Sequence, residues 1–389
     1  MSADRSSGPP ATEGVAAAAS PRAVAVTGVL VVVALMTAGL LWAKWLPYAD
    51  KAHTLSVTGV WSGSDIFGTS GRAGSAPSVS GALAFTQVYV AAVWKAAVVG
   101  LVVAAAIESL VPRGWFVTLM SRRTVVGQGV VGAALSLPSM MCTCCTSPVA
   151  IGVRRRGAPI GSAVAYWLGN PLLNPAVLVF LALTMPVRLV AVRVVVGVVV
   201  VLAAAVVATR VAGGGTAGGV TERTDSTAAV TPVLTRRAGD GLGLGPADDA
   251  VRLGDLPRRF LRTLARYVVV IVPEYLVLVV LTGWLSGWLS DFAGLDRAAG
   301  PVALLVVGLV GAALVIPTAG EIPVVAGLLA AGASFGVVGV LLVTLPALSA
   351  PSVVMVARTF SWRVTAAVTA VVVAGGVLAG ALLLAAPTA

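Results

Sequence analysis

The sequence predicts an all-α polytopic membrane protein: an inverted repeat of transmembrane helices, each half containing a re-entrant helical hairpin and broken helices. Three observations carry that expectation. Of the 389 residues 58% are hydrophobic and 11% charged, a composition outside that of soluble domains. Apolar runs of about 20 residues, the length needed to cross a hydrocarbon core about 30 Å thick, recur along the chain. In each half one stretch is interrupted by prolines and polar residues, whose freed backbone groups lipid alone cannot satisfy.

The charge and the cysteines exclude other classes. The net charge of +11 comes almost wholly from arginines in connecting segments, which reads as positive-inside topology and contact with anionic lipid. No nucleic-acid partner is expected, because the basic aromatic patches of a soluble surface are missing. All three cysteines lie between Cys142 and Cys145, which excludes a disulfide framework. Structural zinc needs four ligands and His53 stands alone, so no metal and no cofactor are expected.

Residues 1–22, small and polar with Pro9-Pro10, read as a disordered tail. The run that follows is too long for a signal-peptide core and makes 23–46 an uncleaved first transmembrane helix. Residues 47–83 read as an external Gly/Ser-rich loop and 212–256 as a cytoplasmic Gly/Thr/Asp-rich linker, both mobile. Between and after them lie two membrane repeats, 84–211 and 257–386, with full spans near 84–111, 160–185, 188–210, 262–289, 335–357 and 363–386.

Two further runs differ. Residues 125–141 and 145–157 flank the cysteines, while 301–316 and 321–333 flank Pro317-Thr318-Ala319-Gly320. Their second arms, roughly 13 residues each, are too short to cross and read as re-entrant hairpins. If both hairpins return to the side they enter, Arg122, Arg123, Arg154, Arg155, Arg156, Arg258, Arg259 and Arg358 share one face. That face is the cytoplasm of a plasma membrane, with the N-terminus inside and the C-terminus outside.

The two halves match at an offset of about 175 positions. Pro148 meets Pro323, Val149 Val324, Gly152 Gly327, Gly157 Gly332, Ala158 Ala333, Gly161 Gly336 and Pro171 Pro346, roughly seven identities in 24 without a gap. Shared Ala/Val content does not readily put glycines and prolines in register. Each half runs span, hairpin, span, span from opposite sides, the inverted repeat of many secondary transporters.

In such a fold the hairpin tips and broken helices meet near the midplane and offer a solute site. The expected substrate-binding residues are Cys142, Thr143, Cys144, Cys145, Asn170, Pro171, Asn174, Pro175, Thr318, Glu321 and Pro346. The sulfurs suit thiophilic metals or metalloids, although cysteines also serve as small buried hydrophobes. The asparagines supply donors and acceptors beside carbonyls opened by proline, and a purely structural kink is the alternative. Cys142-x-x-Cys145 has the spacing of a dithiol redox pair, but the βαβ setting of thioredoxin is missing.

Charges within spans are costly and mark candidate coupling groups, here Glu321, Glu274 and Lys95. Lys95 and Glu274 can form a buried pair, or Glu274 can carry a proton, while snorkelling is the alternative for Lys95. Glu108 and Arg193 sit nearer helix ends and read as solvated.

Cys142-Thr143-Cys144 with Pro148, Arg156-Gly157-Ala158-Pro159-Ile160-Gly161, Asn170-Pro171-Leu172-Leu173-Asn174-Pro175, and Gly320-Glu321-Ile322-Pro323 through Gly332 to Pro346 together resemble the predicted-permease family that includes the organoarsenical efflux permeases. The resemblance covers roughly 84–386. It implies export of trivalent organoarsenicals such as methylarsenite, held by two thiolates, in a protein that is not an enzyme. Direction of transport rests on this resemblance alone. Cys145 departs from the family, which usually has glycine there. The expected partners are a small thiophilic solute and membrane lipid, with further copies of the chain left open. A membrane thiol-disulfide oxidoreductase and a permease for an unrelated anion or metabolite are the competing readings.

Overall fold

The computed structural model describes residues 21–61, 76–111, 113–213, 255–289 and 302–385. Most of the expected tail, residues 62–75 of the expected loop and nearly all of the linker lie outside the described residues. Every regular element within them is helical. The chain opens with α1 (Pro21–Leu40), a π-helical turn (Leu41–Trp45) and α2 (Leu46–Thr58), followed by α3 (Val79–Leu110) and the short α4 (Arg113–Met120). Then come α5 (Val125–Ser136), α6 (Thr143–Arg155), α7 (Ile160–Leu173), α8 (Pro175–Thr184) and α9 (Val187–Gly213). The second half holds α10 (Leu256–Leu289), α11 (Ala303–Ala313), α12 (Glu321–Ala330), α13 (Phe335–Ala347), α14 (Ala350–Phe360) and α15 (Trp362–Ala385).

Among the described residues six helical stretches are long and apolar enough to cross a membrane, and α13 with α14, bent by 53°, add a seventh if taken as one crossing. The protein is a multi-pass membrane protein. Its surface agrees with that: Val195, Val199, Val269 and Val277 are exposed by 60%, 51%, 71% and 67%. In water so many exposed branched side chains on two long helices are an aggregation liability, whereas lipid tails solvate them at no cost.

The long helices pack as α3 along α10 and α9 along α15, so that each contact joins the two halves. Each short pair leans on a broken helix of its own half: α5 and α6 on α7, α11 and α12 on α13. One apolar cluster runs through Phe85, Ala104, Val149, Trp167, Val200 and Val368. A second joins α2, α8 and the α11–α13 unit through Leu55, Phe180, Ile322, Val325 and Leu341.

The helix breaks follow from local chemistry. Asn174 caps α8, its Oδ1 accepting from the backbone N–H groups of Ala176 and Val177 at 3.1 and 3.4 Å, with Pro175 in the first turn where its missing N–H costs nothing. The ends of α6 and α12 share one design. Gly157 and Gly332 take φ values of 94° and 76°, and the following alanine N–H groups close back onto Val153 O at 3.3 Å and Leu328 O at 2.9 Å. These are matched Schellman ends, which require a left-handed residue after the helix and therefore favour glycine.

Two expected boundaries move. The loop expected over 47–83 ends earlier, because α3 starts at Val79, and begins later, because Leu46–Thr58 is helical. Its Tyr48, Ala52 and Leu55 lie at helical spacing and pack on the Val177–Phe180–Leu181 surface, which rewards helix over loop. Gly59, at φ 68°, ends it.

Candidate solute site between two helix tips

The first tip lies between α5 and α6. Pro138 shapes a 3-10 turn, Leu137–Ser139, and Met140 reverses the chain at φ 46°. Cys142 precedes α6 in extended conformation. The tip is fastened to both broken helices: Thr143 Oγ1 donates to Pro346 O at 2.6 Å, and Asn170 Nδ2 donates to Met141 O. From the first span Trp45 Nε1 reaches Pro138 O at 2.8 Å.

The second tip lies between α11 and α12. Gly320 N–H bonds Pro317 O at 2.9 Å, and Ala319 stands at φ 68°, a backbone region costly for a residue with a Cβ. Lys44, one residue before Trp45, donates to Thr318 Oγ1 at 3.0 Å and to Tyr48 Oη at 2.8 Å. The π-helical turn thus aims two successive residues at the two tips, the kind of local irregularity that recurs at functional positions.

Between the tips is a narrow gap of about 10 Å³, lined by Cys142, Pro171, Asn174, Thr318, Glu321 and Pro346 among others. It has room for about one water molecule. A larger cavity of about 560 Å³ has the Pro317–Gly320 turn in its wall. Pro317, Thr318 and Ala319 line both spaces, and Lys44 on the cavity wall is within electrostatic reach of Cys142 and Cys145.

The three cysteines are free and buried. The Cys142 sulfur is their hub, 3.2 Å from that of Cys144 and 3.1 Å from that of Cys145. Cys144 turns toward α3 and α10, its sulfur 3.0 Å from Tyr89 Oη and 3.4 Å from Tyr275 Oη, with the two phenols 2.7 Å apart. All three sulfurs lie within 4.8 Å of one another, a compact soft-donor set. Close approach of α3 makes this possible: a Cβ on Gly100 would stand 2.6 Å from Cys145 O.

Of the residues singled out in the sequence, Cys142, Pro171, Asn174, Thr318, Glu321 and Pro346 line the gap, and Thr143 and Asn170 brace its first tip. Pro175 is exposed and only starts α8. The Lys95–Glu274 pairing is corrected: Glu274 pairs with Arg358 at 3.0 Å, while Lys95 sits 5.5 and 5.9 Å from the ring centroids of Trp42 and Trp94. An arginine one helix away is a nearer partner, and two indole faces hold the lysine.

The solvated reading of Arg193 is also corrected. Its side chain is fully buried and pairs with Glu321 at 3.0 Å. It also donates to Leu172 O at 3.1 Å, Pro171 O at 3.0 Å and Leu342 O at 2.6 Å. The proline break leaves carbonyls at the end of α7 without helical partners, and a guanidinium with five donors serves several at once. Glu108 is likewise only 18% exposed and shared among Arg155, Arg266 and Tyr267. Sequence reading missed Lys44, Tyr89 and Tyr275 and misjudged the burial of Arg193. Only the two cations left a signal, as charges within apolar runs.

The sequence profile of a family described as a predicted permease matches residues 78–384. The chain belongs to this permease family. The UPF0718 protein YraQ of Escherichia coli K12 is 33% identical over 352 residues, 90% of this chain and 93% of that protein. No solved structure matches. In this permease α1, the π-helical turn and α2 precede the matched segment, so Lys44 and Trp45 reach the tips from outside it.

Proposed function

We propose that this permease is a secondary transporter that exports a thiophilic small solute, a trivalent organoarsenical, through the site between the two tips. The observation that carries the reading is the free, buried three-sulfur cluster whose hub, Cys142, lines a gap closed by the opposite tip. A monosubstituted trivalent arsenical carries two exchangeable hydroxyls. Two thiols displace them, forming two As–S bonds and releasing two waters, and the organic group remains in an apolar surround. Release reverses these steps, with Glu321, the carboxyl lining the gap, as the coupling group.

The same reading makes the two tips re-entrant hairpins in an inverted repeat. It is supported by the lengths of the arms, 12 and 13 residues in α5 and α6 and 11 and 10 in α11 and α12, all shorter than a crossing. Further support comes from the matched Schellman ends at Gly157 and Gly332 and from Pro171 and Pro346, each inside a broken helix. Entry of the first hairpin from the cytoplasm and the second from outside keeps the arginine-rich segments inside.

Replacing Cys142 and Cys144 together by serine is expected to abolish resistance to methyl- or phenylarsenite in an arsenical-sensitive strain at unchanged membrane abundance. Unaltered resistance overturns the thiol site. A thiol oxidoreductase is the second reading, because the Cys142 and Cys145 sulfurs lie 3.1 Å apart. A Cys145→Ser protein that still confers resistance counts against it.

A further inference from the structure

The 560 Å³ cavity beside the second tip has chemistry that the thiol site does not use. Three lysines, Lys44, Lys51 and Lys95, line it, and no Asp or Glu stands among its described lining residues. Lys44 is only 5% exposed. Its two hydrogen bonds, to Tyr48 and Thr318, leave one ammonium donor over. The π faces beside Lys95 are no counter-ion. Ammonium groups that share one concavity with low-dielectric walls repel each other and focus a positive potential into it. Lys44, buried to this depth in an apolar bundle, calls for a partner of opposite charge.

The remaining wall says what kind of partner. Phe180 stacks edge-on with Tyr48 at 5.7 Å and with Trp61 at 5.2 Å between ring centroids, and Val88, Ala91, Ala92 and Ala96 complete an apolar side. Trp61 also holds an indole N–H that is buried and has no partner among the described residues, a donor left over for a ligand. The volume is in the range of small-molecule sites, and such sites pair apolar walls with a few polar groups that fix orientation. An inorganic anion would satisfy the lysines and leave the aromatic wall unused.

From this arrangement we infer that the cavity is a binding site for a small organic oxyanion, with a phosphonate, carboxylate or sulfonate head on the lysines and a compact aromatic or apolar body against Tyr48, Trp61 and Phe180. No cysteine stands among its described lining residues. Because Lys44 also holds Thr318, the occupant contacts the residue that holds the second tip.

Phenylphosphonate is a suitable probe, titrated into the full-length protein in neutral detergent at constant ionic strength, with tryptophan fluorescence and thermal stability as readouts. These report binding alone, so the result does not depend on which solute is transported. The expected result is saturable binding that inorganic phosphate does not match. Lys51→Gln and Lys95→Gln, both partly exposed positions where the fold tolerates change, should each weaken it about tenfold, the loss of one charge-assisted hydrogen bond. Lys44→Gln should weaken it at least as much. Absence of saturable binding, equal affinity for inorganic phosphate, or unchanged affinity in both the Lys51 and Lys95 variants overturns the inference. A lipid headgroup offers the same phosphate chemistry: if phosphatidylglycerol in nanodiscs protects the lysines from acylation while phenylphosphonate does not bind, the occupant is lipid and the inference fails.

Discussion

Arg193 and Glu321 sit 128 positions apart and meet with exposures of 0% and 1%. A buried pair of this kind is weak evidence for stability, since desolvation offsets most of the Coulombic gain, but loss of one partner strands the other charge. Arg193→Met is therefore expected to cost about 3–5 kcal/mol, seen as a large fall in the melting temperature of the purified protein. Arg193→Met with Glu321→Leu should recover much of that loss. Equal damage in the single and double variants would place the role of Arg193 in the carbonyls of Pro171, Leu172 and Leu342 rather than in the charge pair. The sequence marked Glu321 as a candidate and read Arg193 as solvated for one reason. Distance from a helix end is a property of one helix, whereas the partner of a buried charge is set by which helices touch. The same limit explains Glu274, which found Arg358 instead of Lys95.

The helix interruptions were legible because their causes are local. Proline at 171 and 346, glycine at 157 and 332, and the length of an apolar run are read directly from the chain, and each corresponds to an end of α6, α7, α12 or α13, whereas Pro148 and Pro323 lie within α6 and α12 without breaking them. The helical continuation through Leu46–Thr58 was not legible, since its pattern makes sense only against α8. The tyrosines beside Cys144 were hidden for a similar reason: they come from α3 and α10, and their phenols meet the sulfur only once those helices pack together. That packing depends on Gly100, where a side chain would meet the backbone of Cys145. Gly100→Val is expected to push α3 away from α6 and destabilise the protein by about 1–3 kcal/mol, as overpacking does. A melting temperature equal to that of the parent would show that the approach is slack.

At the scale of the whole molecule, the bilayer explains both the exposed valines of α9 and α10 and the burial of the polar groups around the tips. Composition and run length made the multi-pass class readable before any contact was known. The proposed hairpin topology makes a further commitment: an alkaline phosphatase fused after Ala385 should be active outside, and a reporter fused before Pro21 should be active only inside. Both reporters on one side would contradict the seven-crossing arrangement. The central claim is that thiols at the first tip carry a thiophilic solute across the membrane. Accumulation of methylarsenite in everted membrane vesicles, measured by elemental mass spectrometry, tests it most directly. The expected result is accumulation by the parent protein and none above background when Cys142 and Cys144 are both serine; equal accumulation by the two proteins would contradict it.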